Sequence, residues 1–174
     1  WSRSSAAPSH PLAAAAGGLS QDELLDRLAE GILTKLPPDF DLEEAEAKFP
    51  VAYLESMNTV LVQELIRFNR LTAIVRSSLA SLRKAIKGLV VMSSDLEAVF
   101  NRLLNGLVPT KWLGAYPSLK PLASWSRDLT LRWSQLMDWC EKGPPKVFWL
   151  AGFTYPTGFL TALMQTSARA NNVS

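Results

Sequence analysis

The chain has 174 residues, 18 of them basic and 16 acidic, and this composition is that of an ordinary globular domain rather than of a disordered or collagen-like protein. Its formal net charge is only +2, and its single Cys and single His leave no intramolecular disulfide and argue against a Cys/His zinc site or a His-dependent catalytic group. The 28 Leu against 14 Ile plus Val favour helices, because unbranched apolar side chains keep their rotamers in a helix.

The N-terminal stretch consists mainly of Ala, Ser, Pro and Gly, without the basic start and continuous apolar core of a secretory signal. We expect residues 1–19 to form a disordered leader. The sequence starts at Trp1 rather than Met, which indicates a processed or partial chain.

Two short helices are predicted next. Ser20 and Glu23 have the spacing of a capping box, which predicts a helix from there to about Lys35. Asp41 then begins a short acidic helix that runs towards Lys48.

Residues 52–88 are predicted to form one long helix, because apolar side chains recur along them every three or four residues. The recurring residues are Leu61, Leu65, Phe68, Val75, Leu79, Leu82, Ile86 and Leu89, with Thr72 in the one gap. Such a helix is too long for a domain of this size to cover alone, so we expect antiparallel neighbours or a partner outside the chain.

Charge is distributed unevenly. Residues 20–55 carry ten acids and three bases, a balance of −7, whereas residues 56–146 carry six acids and thirteen bases, a balance of +7. Either the two parts face each other or an adjoining domain, or the basic part meets an anionic partner. The bases of the long helix are Arg67, Arg70, Arg76, Arg83, Lys84 and Lys87. They are spread over more than half of the helix circumference rather than along one stripe. This distribution favours a solvated face or an acidic neighbour over nucleic-acid binding.

The second half is also predicted to be helical. Ser94 and Glu97 form a second capping box before a short helix that Gly106 closes, and residues 108–117 form a connector with buried aromatic side chains. Pro121 begins a further helix. Its apolar face comprises Leu122, Trp125, Leu129, Trp133, Leu136 and either Trp139 or Cys140. Clustered Trp on one face favours packing over ligand binding.

Residues 147–168 form an uncharged stretch of 22 residues, which is long enough to span a membrane. Pro156 and the Gly, Thr, Gln and Ser residues of the stretch argue against a span. We expect a buried strand-like or extended piece at residues 147–153, then a turn and a helix at residues 157–170, with a membrane-attached protein as the alternative.

The sequence shows no recognisable motif for catalysis or cofactor binding. It contains no phosphate-binding loop, no dinucleotide-binding glycine pattern and no distinctive carboxylate pair. We therefore predict an all-α helical bundle or lid with one long helix and few or no strands, and we assign no catalytic, cofactor-binding or metal-binding residue. The candidates for packing or interface contacts are Leu61, Leu65, Phe68, Leu79, Leu82, Ile86, Trp112, Tyr116, Trp125, Trp133, Trp149 and Phe153.

Six blocks of the sequence occur in the order found in one known family. They are Ile32-Leu-Thr-Lys-Leu-Pro-Pro-Asp-Phe-Asp41, Ser56-Met-Asn-Thr-Val-Leu-Val-Gln-Glu-Leu-Ile-Arg-Phe-Asn-Arg-Leu71, Lys84-Ala-Ile-Lys-Gly-Leu-Val-Val-Met-Ser-Ser94, Tyr116-Pro-Ser-Leu-Lys-Pro-Leu122, Gly143-Pro-Pro-Lys-Val-Phe-Trp-Leu-Ala-Gly-Phe153, and Phe159-Leu-Thr161 followed by Gln165 and Ala168-Arg169. In these blocks the protein resembles axonemal dynein heavy chains.

The resemblance implies a segment near the C-terminus of a ciliary motor. Residues 20–112 would be the helical small part of the sixth AAA+ module, and residues 113–174 the truncated start of the C-terminal domain. In this family a ring of six modules hydrolyses ATP and moves along microtubules, and the hydrolysing phosphate loops and the microtubule-binding tip lie upstream. ATP and magnesium would therefore bind upstream, and this segment would close and stiffen the ring and transmit conformational change.

The implied partners are the neighbouring modules of the same heavy chain and, through the whole complex, dynein intermediate and light chains and microtubules, with no nucleic acid and no membrane. The implied location is the cytoplasmic cytoskeleton, in the axoneme of a cilium or flagellum. The alternative is a free-standing helical adaptor that binds an acidic protein partner through the basic helix. A fragment should expose apolar surface, whereas an adaptor should be monodisperse and fold cooperatively.

Overall fold

The computed structural model describes residues 18–171, and within that range the protein forms α-helices and no β-strand. The helices are α1 (Gln21–Lys35), α2 (Leu42–Lys48), α3 (Ser56–Ile86), α4 (Ser94–Leu104), α5 (Thr110–Ala115), α6 (Leu122–Lys142) and α7 (Pro156–Ala170). The all-α prediction is confirmed. Of the predicted leader, residues 1–17 lie outside the described residues.

The first two helices begin where the capping residues predict. The Glu23 amide donates to Ser20 Oγ at 3.2 Å, and Glu23 Oε2 accepts from the Ser20 amide at 2.9 Å, so the capping box closes in both directions. The Asp41 carboxylate caps α2 by accepting from the Glu44 amide at 2.9 Å.

Helix α3 is the centre of the fold. It has 31 residues, roughly 46 Å in length, and every other α-helix of the described range packs against it. Its predicted apolar seam is buried from Leu61 to Leu82 and half-buried at Ile86. The neighbouring helices of the same protein therefore cover α3, so its length does not by itself require an outside partner.

Both ends of the long helix were predicted too far out. Residues 52–55 precede the helix, and Glu55 at the N-cap makes no capping bond through its carboxylate. At the other end Gly88 adopts φ +72°, and the Leu89 amide donates to the Lys84 carbonyl at 2.9 Å, which terminates the helix as a Schellman motif. Leu89 is consequently 72% exposed rather than part of the seam.

Two other sequence predictions need correction, and one open choice is decided. The cap of α4 is Ser93 rather than Ser94, because Ser93 Oγ accepts from the Leu96 amide at 3.3 Å. The predicted connector contains helix α5, which buries Trp112. Of the two residues left open for the apolar face of α6, Trp139 is buried and Cys140 is half-buried.

Residues 147–153 do not form the strand-like piece, whereas the alternative, an extended backbone, is found at Trp149 and Phe153. The segment makes a 3₁₀ turn at Leu150–Gly152, and its polar backbone groups bond to side chains instead of a neighbouring strand. Gln135 of α6 takes the place of such a strand: its Oε1 accepts from the Trp149 amide at 2.7 Å and its Nε2 donates to the Trp149 carbonyl at 3.3 Å. Of the helices between residues 18 and 171, none combines the length and apolar character needed to cross a bilayer.

The acidic and basic parts of the protein face each other. Arg83 Nε of α3 lies 2.6 Å from Asp26 Oδ1 of α1, and Arg76 Nη2 lies 3.2 Å from Asp39 Oδ1. The uneven charge distribution thus serves, at these two points, contacts within the molecule.

The Asp26–Arg83 pair should give stability a dependence on pH. The hydrogen bond from Arg83 lowers the pKa of Asp26, so the ionised carboxylate stabilises the fold at pH values above its unfolded-state pKa of about 3.9. This contribution is lost as the pH falls through the lower folded-state pKa. We expect Asp26→Asn to flatten the decline in unfolding free energy below about pH 4, measured by urea unfolding at successive pH values. Asp95→Asn, an exposed change on α4, should keep the wild-type decline. Equal slopes in the wild type and Asp26→Asn would contradict the assignment.

Candidate functional site

Two oppositely charged side chains lie in the core between α3 and α6. Glu64 is 1% exposed and Arg132 is fully buried. Burying an ionised group is costly unless hydrogen bonds and an opposite charge compensate it. Both residues should therefore have hydrogen-bond partners within the core.

Glu64 holds the backbone just before α7. Its Oε2 accepts from the Thr154 amide at 2.7 Å and its Oε1 from the Tyr155 amide at 3.0 Å. Arg67, one turn along α3, adds a contact from Nη1 to Oε1 at 3.3 Å. Because the N-terminus of a helix carries partial positive charge, a carboxylate at the entry to α7 is favourably placed.

Arg132 holds the same segment from the side of α6. Its Nε donates to the Gly152 carbonyl at 2.6 Å and its Nη2 to Thr154 Oγ1 at 2.7 Å. The guanidinium carbon lies 3.7 Å from the centre of the Tyr116 ring, and Nη2 lies 4.0 Å from Glu64 Oε2. Burial lowers the pKa of Arg132, while Tyr116 and Glu64 act in the opposite direction.

We call Glu64, Arg132 and the backbone of residues 152–155 the clasp. The carboxylate binds amide donors and the guanidinium binds oxygen acceptors of one short segment, so the two charges fix that segment from opposite sides. Tyr116 strengthens the arrangement, because its hydroxyl donates to the Ala151 carbonyl at 2.8 Å. The clasp couples α3 and α6 to the start of α7, and Tyr116 adds the end of α5 to this connection.

The close packing of Gly152 in the clasp leads to a prediction. A Cβ added there would lie 2.8 Å from the Trp149 ring and 3.0 Å from Gln135 Nε2. We expect Gly152→Ala to lower the free energy of unfolding by about 1–3 kcal/mol. Gly31→Ala is the matched control, since a Cβ at Gly31 in α1 meets nothing within 4 Å and should stabilise the helix by about 0.5–1 kcal/mol. Chemical denaturation of both variants tests the pair, and equal changes of the same sign would show that close packing does not operate at Gly152.

The packing candidates named from the sequence fall into two groups. The buried ones are Leu61, Leu65, Phe68, Leu79, Leu82, Trp112, Tyr116, Trp125 and Phe153. The half-buried ones are Ile86, Trp133 and Trp149. Their role at an interface with another part of a larger protein stays a prediction.

The structure brings several of the predicted aromatic residues together. Trp112 and Trp125 stack with ring centres 5.5 Å apart, and Phe68 and Tyr116 lie on the guanidinium of Arg132. Sequence reasoning missed Glu64 and Arg132. The available signal was that each interrupts an otherwise apolar helix face.

Metal ligands are not clustered in the part of the protein that the structure describes: no three His, Cys, Asp or Glu residues there could hold an ion together. Burial raises the pKa of the Cys140 thiol, so the environment does not favour the reactive thiolate form.

Comparison with known proteins identifies the family. The family model of the C-terminal domain of dynein heavy chains matches residues 4–174. This protein belongs to the dynein heavy chain family. It is 54% identical over 160 residues to dynein axonemal heavy chain 3 of Mus musculus and of Homo sapiens, and 53% identical over 151 residues to dynein axonemal heavy chain 12 of Mus musculus. The resemblance inferred from the sequence blocks is confirmed.

The matches cover 91% of this dynein segment but 4% of the length of heavy chain 3, and 86% of it but 5% of heavy chain 12. The family match lies on both sides of the boundary expected near residue 112 and includes most of the expected leader. The division at residue 112, between the small part of the sixth module and the C-terminal domain, stays a prediction.

Proposed function

We propose that the protein is a non-catalytic structural segment of an axonemal dynein heavy chain, an ATP-driven, minus-end-directed microtubule motor of cilia. It helps to close the AAA+ ring and transmits conformational change. Its membership of the dynein family and the lack of a phosphate-binding loop in its sequence support this role. ATP and magnesium bind in other modules of the heavy chain.

An exposed apolar surface is the observation that carries the proposal. Residues 89–92 are four consecutive apolar side chains after α3, with Leu89 72% and Val91 89% exposed. The Gly88 helix end and the Ser93 cap order the loop on both sides. Contiguous exposed apolar surface marks an interaction site, and a pre-ordered loop loses little entropy when it docks. We assign residues 89–92 to the contact with a neighbouring AAA+ module.

The clasp and α3 supply the transmitting part. Since every other described helix packs on α3, a displacement applied through residues 89–92 at its C-terminal end reaches the whole domain. The clasp then connects α3 to the start of α7 by hydrogen bonds with buried ionised groups, the stronger class of such bonds.

The remaining partners follow from the parent motor. They are dynein intermediate and light chains and microtubules, which the segment meets only through the whole complex. The location is the cytoplasmic cytoskeleton in the axoneme of a cilium or flagellum. The adaptor alternative has weaker support, because Arg76 and Arg83 of the basic helix already pair with acids of the same molecule.

The test introduces charge into the exposed loop of the full heavy chain. Leu89→Asp/Val91→Asp should slow microtubule gliding and ATP turnover several-fold, while leaving the unfolding free energy of residues 1–174 unchanged, because both side chains are exposed. Leu119→Asp is the matched control, since Leu119 is a fully exposed apolar residue of another loop. Unaltered gliding in the double variant would rule out the docking role. ATP turnover by purified residues 1–174 would rule out a non-catalytic segment.

A further inference from the structure

A cleft of about 550 Å³ lies between the first half of α3 and α7. Its apolar lining includes Val60 of α3 and Phe159 and Ala162 of α7. Phe159 and Ala162 are the buried residues of α7. A cleft nevertheless remains open between α7 and α3. The volume is within the range of ligand-binding clefts.

The shape of the cleft suits a peptide segment. Its lining runs along α3 from Ser56 to Arg67, about three turns or roughly 16 Å, and along α7 from Gly158 to Gln165, about two turns or roughly 10 Å. Residues 51–53, which precede α3 without regular secondary structure, form one rim. Tyr53 of this rim is 89% exposed.

Two arginines flank the cleft, and each lies near a tyrosine ring. The guanidinium carbon of Arg67 is 5.7 Å from the centre of the Tyr155 ring, and that of Arg169 is 5.6 Å from the centre of the Tyr53 ring. The aromatic faces hold the two cations in place at the edges of the cleft.

Both arginines keep capacity for an anion. Arg169 Nη1 donates to the Leu54 carbonyl and to Ser56 Oγ, each at 3.0 Å, and within residues 18–171 it forms no ion pair. Arg67 makes a 3.3 Å contact with Glu64, whose oxygens already accept two backbone amides. A guanidinium has five N–H donors, so neither group is saturated by these contacts.

We propose that this cleft is a docking groove for an amphipathic protein segment, whose apolar side chains enter between α3 and α7 and whose carboxylates bind Arg67 and Arg169. The planar guanidinium matches a carboxylate in geometry and charge. The groove is distinct from the loop of residues 89–92, at the opposite end of α3, so this inference stands independently of the ring contact.

Titration of the isotope-labelled protein with a defined peptide tests the groove. The probe is a short amphipathic peptide of leucine, alanine and glutamate, and its counterpart carries lysine at every glutamate position. The amide signals of cleft-lining residues should shift with the glutamate peptide and stay in place with the lysine peptide. Arg67→Gln/Arg169→Gln should weaken binding about tenfold or more. Arg70→Gln/Arg127→Gln, which changes two exposed arginines outside the cleft lining, should bind as the wild type does.

A second variant is needed because Arg169→Gln also removes the bonds that tie α7 to Leu54 and Ser56. Thr161→Trp fills the cleft from an exposed position of α7 while both arginines remain, and it should also block the glutamate peptide. Equal binding of the two peptides, undiminished binding by Arg67→Gln/Arg169→Gln, or the absence of any shift at the cleft would each overturn the proposal.

Discussion

Glu64→Ala should lower the free energy of unfolding by about 3–5 kcal/mol, the loss typical of removing one partner from a buried charge pair. The substitution leaves the Thr154 and Tyr155 amides without their acceptor and leaves the buried Arg132 without its nearest anion. Urea unfolding followed by tryptophan fluorescence measures the loss. Glu97→Ala, an exposed glutamate of α4, should change the unfolding free energy by less than about 0.5 kcal/mol.

A double-mutant cycle shows whether the two charges of the clasp act together. Arg132→Met should cost about as much as Glu64→Ala, because it removes the buried guanidinium that binds Gly152 and Thr154 and lies beside the Glu64 carboxylate. Glu64→Ala/Arg132→Met should then cost clearly less than the sum of the single losses, since the double variant leaves no isolated charge. Additive losses would show that Glu64 and Arg132 hold residues 152–155 independently, and the clasp would not be a unit.

Trp112→Ala should lower the unfolding free energy by about 3–5 kcal/mol through the loss of a large buried ring. Trp112 is fully buried between α3 and α6, stacks on Trp125, and donates from Nε1 to Ser78 Oγ at 2.8 Å. Thermal and urea unfolding of the variant measure the effect.

Two milder changes separate the components of the Trp112 effect. Ser78→Ala removes the hydroxyl that accepts from Trp112 and donates to the helix backbone, and it should cost about 1 kcal/mol. The loss of the donor in the more conservative Trp112→Phe should cost a similar amount. If Trp112→Ala lowered the unfolding free energy no more than Ser78→Ala does, burial of the ring would contribute little to stability, contrary to the prediction.

The elements that were predictable from sequence depend on local signals. Ser20 and Asp41 cap the helices that follow them, because a hydroxyl or carboxylate oxygen needs only an amide three residues away. The apolar seam of α3 was equally local, since its period is a property of one helix. The start of α3 was missed because residues 52–55 have no helix-breaking residue, and no side chain caps the start at Ser56.

The candidate site was not predictable in the same way. The backbone partner of Glu64 lies 90 residues further along the sequence, and backbone amides have no sequence signature. The strand-like piece before α7 was wrong for a related reason: the Gln135 amide group and the clasp, rather than a second strand, satisfy its backbone. Only the interruption of two apolar faces by charged residues could have indicated the site.

The long sequence separation within the clasp has a consequence for the order of folding. The bonds from Glu64 to Thr154 and Tyr155 close a loop of 90 residues or more, and the bond from Trp133 to the Pro38 carbonyl closes one of 95. The entropy of closing so long a loop delays its formation until neighbouring structure exists. We therefore expect the clasp to form after the transition state, so that Glu64 substitutions accelerate unfolding and leave the rate of folding nearly unchanged. During synthesis α1 to α6 emerge before α7, so the partners of the clasp on α3 and α6 are available when residues 152–155 appear.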